Sequence, residues 1–334
     1  MATLGNKFVD LIDIYKRMEP DGSIADIIEM LKRMNGVVES SLAIECNNGT
    51  KHLTSVRGGL PSVAWGRLYK GIPQSKSRFH QVEDTTGFCE ALSSVDQRIL
   101  KRYAKDKRGA IRLSEAEGFI ESMSQEMENK FFYGNTATTP EEFLGLAPRF
   151  NDLNAENGSQ IIDAGGTGTD NTSVWFVTWG ERQVHLLYPE GTKAGLQRDD
   201  KGEQRVTDEN GDAYFVDEEL FHWDIGVTVR NWKYVSRVAN IDVSDLKDGS
   251  VDLYRYMRKA LYRLANRRAN VGRIAIYCNT DVLEALDALG TNSGTTDNYA
   301  RLKPMEIQGR EIDTYRKIPI YETDAIINTE TRVT

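Results

Sequence analysis

Residues 51–82 read KHLTSVRGGLPSVAWGRLYKGIPQSKSRFHQV. Six of them are basic (Lys51, Arg57, Arg67, Lys70, Lys76 and Arg78) and none is acidic. The whole chain carries a net charge of −8, so removing these six positive charges leaves −14 for everything else. Four glycines (Gly58, Gly59, Gly66, Gly71) and two prolines (Pro61, Pro73) rule out a helix or a long regular core strand. Yet Leu60, Val63, Trp65, Leu68, Tyr69, Ile72 and Phe79 are spread through the window, which is not the composition of a disordered linker. Apolar side chains on a cationic excursion that cannot build its own core need a surface elsewhere. The acidic remainder offers one, most simply in a second copy of the same chain. A mobile lid is the competing reading, but a lid needs a catalytic pocket to cover.

The rest of the composition sets the class. With 334 residues, 40% apolar and 28% charged, the chain suits one large or two ordinary globular domains. No uninterrupted apolar run approaches a membrane span, and Met1–Lys7 lacks the apolar core and cleavage site of a signal peptide. Cys46, Cys89 and Cys278 are odd in number and far apart, which implies a reducing compartment and structural thiols. The sequons at Asn48, Asn157 and Asn171 then carry no meaning. An acidic body with a pI near 5.3 argues against nonspecific nucleic-acid binding by the whole surface.

Upstream of the window the pattern is helical. Phe8, Leu11, Ile12, Tyr15 and Met18 form one stripe, and Glu19-Pro20-Asp21-Gly22 breaks it. Ser23 caps a second stripe of Ile24, Ile27, Ile28 and Leu31, which Asn35-Gly36 stops. Downstream, Ser94–Lys107 reads as a short charged helix. Ser114-Glu115-Ala116-Glu117 is a capping box, and Ile120, Met123, Met127 and Phe131 line one face as far as Tyr133-Gly134-Asn135. This predicts an amphipathic strut of about 30 Å lying on a sheet.

The polar stretch Asn151–Asn171 reads as a domain boundary, and the pattern beyond it is β-like. Val174–Trp179 and Val184–Tyr188 predict a hairpin broken at Gly180-Glu181. Arg205–Thr207 and Ala213–Val216 flank the turn signal Asn210-Gly211. Trp223–Ala239 reads as one long strand, with Trp175, Trp179, Trp223 and Trp232 expected in one core. A helix over Val251–Ala269 sets Tyr254, Met257, Leu261 and Leu264 against a basic face of Arg255, Arg258, Lys259, Arg263, Arg267 and Arg268. Arg273–Cys278 is a buried strand, Thr280–Leu289 a short helix and Thr291–Asn298 a polar loop. Met305–Tyr315 and Ile318–Ile327 close the chain as strands.

No reactive constellation emerges. His52, His80, His185 and His222 lack metal-ligand spacing, and there is no serine-nucleophile elbow. Gly165-Gly166-Thr167-Gly168-Thr169 lacks the lysine ending of a phosphate loop. Asp208, Asn210, Asp212 and Glu219 fit calcium-loop positions, but Ala213 stands where that loop needs glycine, so a hairpin turn is the better reading. No cofactor is expected. Two rival functions stay open. One is a cytosolic hydrolase using Asp199, Asp200, Asp208 and Asp212; the other is a DNA-binding module using the basic helix 255–268.

A collinear set of segments resembles the major capsid proteins of tailed bacteriophages with the Hong Kong 97-like shell fold. The set runs from Arg57-Gly58-Gly59-Leu60-Pro61 and Gly71-Ile72-Pro73-Gln74-Ser75-Lys76-Ser77 to Phe131–Asn135 and Gly145-Leu146-Ala147-Pro148-Arg149. It continues through Tyr188–Gly191, Ala194–Gln197, Trp223-Asp224, Val229-Arg230-Asn231-Trp232, Gly309-Arg310-Glu311, Ile318-Pro319-Ile320 and Asp324–Glu330. The resemblance implies an α+β capsid fold. Its parts are an N-terminal arm (1–50), an extended loop (51–92), a peripheral domain with a long spine helix (93–165), an axial domain (166–299) and a return to the peripheral domain (300–334). It implies a structural, non-enzymatic subunit of the virion capsid, made in the host cytoplasm, that assembles with itself as hexamers and pentamers into an icosahedral shell around double-stranded DNA. Expected partners are scaffolding, portal and decoration proteins, with only weak nonspecific contact to DNA and no membrane. A separate scaffold fits the lack of an extra N-terminal extension of the kind some members carry. Some members crosslink a loop lysine to a neighbour; Lys70 and Lys76 stand in the loop, but no motif here supports that chemistry. The residues expected to touch the neighbouring subunit are Arg57, Trp65, Arg67, Leu68, Tyr69, Lys70, Lys76 and Arg78.

Overall fold

The structure is a computed structural model that describes residues 36–102, 105–207, 211–267, 272–292, 302–307 and 310–334. The helices expected over Phe8–Met18 and Ser23–Leu31, the turn residues Asp208–Asn210 and Arg268 lie outside the described residues. In chain order the elements are α1 (Gly36–Ser40), β1 (Ala43–Glu45), β2 (Lys51–Gly59), β3 (Arg78–Asp96), α2 (Gln97–Leu100), α3 (Lys105–Tyr133) and α4 (Leu146–Arg149). Then follow β4 (Ile161–Asp163), β5 (Asn171–Trp179), β6 (Val184–Tyr188), β7 (Gln197–Thr207), β8 (Ala213–Val229) and β9 (Val235–Asp242). The last are α5 (Val243–Lys247), α6 (Leu253–Arg263), β10 (Arg273–Cys278), α7 (Thr280–Asn292), β11 (Leu302–Ile307), β12 (Arg310–Tyr315) and β13 (Ile318–Glu322). Among the described residues no helix is long and apolar enough to cross a membrane.

Two compact units emerge. One comprises the described residues of 88–128 and 195–224, the other those of 36–87, 129–194 and 225–334. The polar stretch Asn151–Asn171 lies inside the larger unit and contains β4, which pairs in parallel with β9.

The larger unit is built on β5, a strand with every residue buried. Its two edges are taken by antiparallel partners, β9 (Val174↔Val238) and β10 (Phe176↔Ile276). The sheet order is β4-β9-β5-β10-β13-β12-β11, with β10 and β13 parallel. One face carries Val174, Phe176, Val238, Ile276 and Ile320 and is covered by Tyr254, Met257 and Leu261 of α6 and Val282 and Leu286 of α7. Pleating sends Trp175, Trp179 and Tyr277 to the opposite face. There Phe131 stacks on Trp179 with centroids 5.6 Å apart, and Phe132 and Phe150 each lie 6.2 Å from Trp175. Asn279 caps α7 by accepting from the Val282 amide at 3.0 Å, and Asp252 caps α6 through the Arg255 amide at 3.2 Å.

The C-terminal segment closes this unit. Glu330 accepts from Arg237 Nη2 at 2.8 Å, from the Tyr133 hydroxyl at 2.5 Å and from Ser173. Arg237 also donates to the Phe150 carbonyl at 2.7 Å and lies 4.8 Å over the Trp175 ring. Both charged side chains are only 4% exposed. The Tyr133 hydroxyl is pushed upward in pKa by burial first and by the Glu330 charge second.

In the smaller unit β7 and β8 form the hairpin that Asn210-Gly211 predicts, registered from Gln197↔His222 to Thr207↔Ala213. Phe119 of α3 stacks on Phe221 at 5.7 Å, and Arg112 binds Asp200 at 2.9 Å and Glu219 at 2.5 Å. The strut thus lies on a sheet, as expected.

Several expectations are corrected. Helix α3 starts at Lys105 and spans 29 residues, about 43 Å, so Ser114 is not a cap; its Oγ donates to the Ile111 carbonyl at 3.1 Å inside the helix. Ile120 is 39% exposed, whereas Met123, Met127 and Phe131 are buried. Ser94–Asp96 ends β3 and is followed by the four-residue α2, capped by Asp96, rather than one charged helix. β5 and β6 form no hairpin, meeting only at Trp179↔Val184, because both edges of β5 are already occupied; β6 pairs with β8 instead. The strand expected over Trp223–Ala239 breaks where Asn231 accepts from the Lys233 amide at 3.0 Å and turns the chain. Consequently Trp175 and Trp179 share a core, Trp223 belongs to the other unit, and Trp232 is half-buried. Gly36 opens α1, and a Cβ there would lie 2.7 Å from Tyr321 Cβ. Helix α6 ends at Arg263, six residues before the expected Ala269. Strand β13 ends at Glu322, short of Ile327.

The Arg237–Glu330 pair yields a test of the C-terminal closure. Glu330→Ala leaves a buried guanidinium without its carboxylate and is expected to cost about 3–5 kcal/mol in denaturant unfolding. The double variant Arg237→Met/Glu330→Leu should lose much less, since no uncompensated charge remains.

Candidate subunit-contact loop

β2 and β3 pair antiparallel from Lys51↔Thr85 to Arg57↔Phe79, with a bulge before Gly59↔Arg78. Between them, Leu60–Ser77 contains no helix or strand, only a turn at Leu68-Tyr69. The turn is closed by the Lys70 amide donating to the Arg67 carbonyl at 3.3 Å, with Tyr69 at φ +62°. Ser75 Oγ donates to the Ser62 carbonyl at 2.8 Å and ties the outgoing limb to the returning one. The segment has shape but no interior: Val63, Trp65 and Leu68 are 97%, 99% and 92% exposed.

Of the eight expected contact residues, Trp65, Arg67 and Lys70 come together around a hollow of about 220 Å³ that Ile72 and Pro73 complete. Leu68 and Tyr69 form the turn beside it. Lys76 lies on the returning limb, and Arg57 and Arg78 sit at the end of the stem, Arg57 lying 5.1 Å over the Phe79 ring. All eight are exposed. Among the described residues none of the five cations pairs with a carboxylate, whereas Lys51 at the stem base binds Glu83 at 2.5 Å.

The stem is held by a buried polar cluster that the sequence reading missed. Asp84, opposite His52 in the ladder, accepts from Arg149 at 2.8 Å and from the Thr228 hydroxyl at 2.6 Å. Arg230 reaches His52 Nε2 at 2.5 Å, and the His52 and His185 rings meet edge-on at 5.6 Å. Burial foremost, then the Arg230 charge, lowers the pKa of both histidines, His185 to about 4. These residues come from β2, β3, β6, β8, α4 and the turn after β8, so no local spacing announces them. Arg149 and Arg230 do stand in segments that carry the family resemblance.

Two carboxylates of the hydrolase reading are engaged in ion pairs. Asp199 pairs with Lys201, and Asp200 is kept ionised by its hydrogen bond from Arg112, the wrong direction for a general acid. Glu219, the last position of the calcium-loop pattern, is buried and gripped by Arg198 at 2.7 and 2.8 Å as well as by Arg112. The Cys46 thiol is pushed up to about 11 and Cys278 is likewise raised, burial being the main cause in each, so both stay protonated.

Comparison with known proteins gives three results. The family model of major capsid protein GP7 matches residues 19–334. A chain of bacteriophage Epsilon15 is 33% identical over 100% of both chains, with a TM-score of 0.76. A chain of the bacteriophage JBD30 capsid is 8% identical over 97% of this chain and 96% of that one, with a TM-score of 0.51, a likeness of fold alone. No curated protein sequence matches significantly.

The stem cluster generates a pH prediction. In an unfolded chain His185 titrates near its ordinary value of 6.5, so between pH 6.5 and about 4 the unfolded state binds a proton that the folded state refuses. Stability therefore falls as pH drops through that window. Urea unfolding at pH 7 and pH 4.5 should show the wild type losing about 2 kcal/mol more than His185→Gln. Equal losses would show that His185 is not buried in its neutral form.

Proposed function

The chain belongs to the major capsid protein GP7 family, and from that membership we propose that its copies assemble, as hexamers and pentamers, into an icosahedral shell around double-stranded DNA. It is a bacteriophage major capsid protein, and its place is the virion capsid. Within that role we read the chain as non-catalytic, with 51–92 as the extended loop, 93–165 as the peripheral domain around α3, 166–299 as the axial domain and 300–334 as the return. Scaffolding, portal and decoration proteins are the further partners this reading expects.

The observation that carries the proposal is the loop itself. Trp65, Leu68, Tyr69 and Ile72 are all more than 80% exposed on a segment with no core of its own. Fully burying one such side chain contributes about 1.5–3 kcal/mol, a gain that none of the described residues supplies and that a neighbouring subunit would. Arg57, Arg67, Lys70, Lys76 and Arg78 would meet the acidic surface of the adjacent subunit. A single contact of this size is weak. A closed shell repeats it around every subunit, which makes assembly collective and steep. The net negative charge of the body also limits its grip on packaged DNA.

Charge reversal at the tip, Arg67→Glu with Lys70→Glu, is expected to abolish particles while leaving a folded subunit. Size-exclusion chromatography reads the first outcome and circular dichroism the second. Trp65→Ala with Tyr69→Ala should weaken assembly in the same way without changing charge. Normal particles from both variants would refute the role given to the loop.

A further inference from the structure

One stretch of the larger unit carries charge of a single sign. Between Asp252 and Asp281 the sequence holds seven basic residues and no acidic one. Helix α6 packs Tyr254, Met257 and Leu261 into the core and leaves Arg255, Arg258, Lys259 and Arg263 exposed. Just past its C-terminal end the Ala265 amide donates to the Lys233 carbonyl at 2.9 Å, which sets Lys233, also exposed, at that end of the strip. Asp252 caps the opposite end by accepting from the Arg255 amide at 3.2 Å.

Among the described residues none of these cations pairs with a carboxylate. Aromatic rings stand beside them instead. Lys233 lies 5.3 Å over Trp232, Lys259 5.3 Å over Tyr256, and Arg267 4.1 Å over Tyr262. Such contacts hold a cation in place without neutralising it. Arg255, Lys259 and Arg263 repeat every four residues, a spacing at which like charges destabilise a helix. The arrangement is unfavourable within the subunit and becomes favourable once an anion lies along it.

We infer that α6, with Lys233 and Arg267 at its end, forms a binding strip for the phosphate backbone of double-stranded DNA. This rests on the shell reading, which encloses that polymer, and names the surface that meets it. The row Arg255–Lys259–Arg263 rises about 12 Å along the helix, the length of about four phosphates of one strand. Arginine, lysine and tyrosine are the donors that phosphate contacts use, and such contacts carry no base readout. Charge complementarity favours DNA over a sister copy. A sister copy presents both signs, 42 basic and 50 acidic residues over its length, whereas DNA repeats one sign at fixed intervals. The acidic remainder of the body confines the grip to this strip, so binding stays weak and independent of sequence.

Fluorescence anisotropy with a labelled DNA duplex of about 25 base pairs tests the strip on the full-length subunit and does not require closed shells. Four or five phosphate contacts give a slope of about −4 for the logarithm of the binding constant against that of salt concentration. Arg258→Gln and Lys259→Gln, made singly, should each reduce that slope by about one. The combined variant Arg255→Gln/Arg258→Gln/Lys259→Gln/Arg263→Gln should bind about tenfold more weakly or worse at low salt. Its melting by circular dichroism and its yield of empty shells should match the wild type, and the single changes decide the matter should it melt early. An unchanged slope in the single and combined variants would overturn the inference. Unchanged duplex binding with loss of empty shells in the combined variant would overturn it in favour of a protein contact. A combined variant that assembles normally and still binds the duplex would remove the strip and leave the shell reading standing. Wild-type subunits that bind the duplex through α6 yet never assemble would refute the shell reading and leave the strip standing.

Discussion

A strand with no exposed residue needs cover on both faces and partners on both edges, and β5 imposes those four demands on the larger unit. β9 and β10 satisfy the edges; α6 and α7 cover one face, and Phe131, Phe132 and Phe150 cover the other. The buried pair Arg237–Glu330 then pins the last residues of the chain to β5 through Ser173 and Trp175. Partners for β5 come from 129–133, 150, 235–242, 273–278 and 330, so the unit forms only when distant parts of the chain meet. Such non-local closure favours one arrangement because a register slip would expose a buried face.

The loop is the inverse case. It carries aromatic and aliphatic side chains of the kind that fill a core, yet none of the described residues covers them. The chain invests its local order in the base instead, where Asp84, Arg149, Thr228, His52 and Arg230 are joined by hydrogen bonds. A partnered charge cluster is costly to disturb, whereas apolar contacts alone would let a two-stranded stem pivot. The stem is therefore held at its root, while the side chains of the tip stay exposed.

How much of this could be read from residues alone depends on range. The β7–β8 hairpin was legible because Asn-Gly between two β-like runs is a local turn signal, and the apolar stripe of α3 because helical periodicity is local too. The cationic excursion was legible from charge and glycine content over one window, and it is the segment that lacks a core. The expected hairpin of β5 with β6 failed because edge occupancy is decided by β9 and β10, which lie far along the chain. Ser114 looked like a cap because Ser-x-x-Glu also occurs inside helices, where the hydroxyl turns back on its own backbone. The tryptophans seemed one cluster because they are close in sequence, yet the chain passes between two units within that stretch. The stem cluster had no local signal at all.

Shell assembly asks each subunit for contacts that are individually weak, directional and mutually compatible. On the reading proposed above, the apolar side chains of the loop tip would give affinity that grows with buried area, but apolar burial alone has little directional preference. The cations spread among them would supply the direction, since they favour an acidic patch and oppose a basic one. The two components answer to different variables, area in one case and ionic strength in the other. A subunit that relied on apolar area alone could aggregate through any accessible apolar surface, and one that relied on charge alone would dissociate at moderate salt. Both kinds of side chain stand on one loop, Trp65 and Leu68 beside Arg67 and Lys70, and that combination is the selectivity an ordered shell requires of its repeating part.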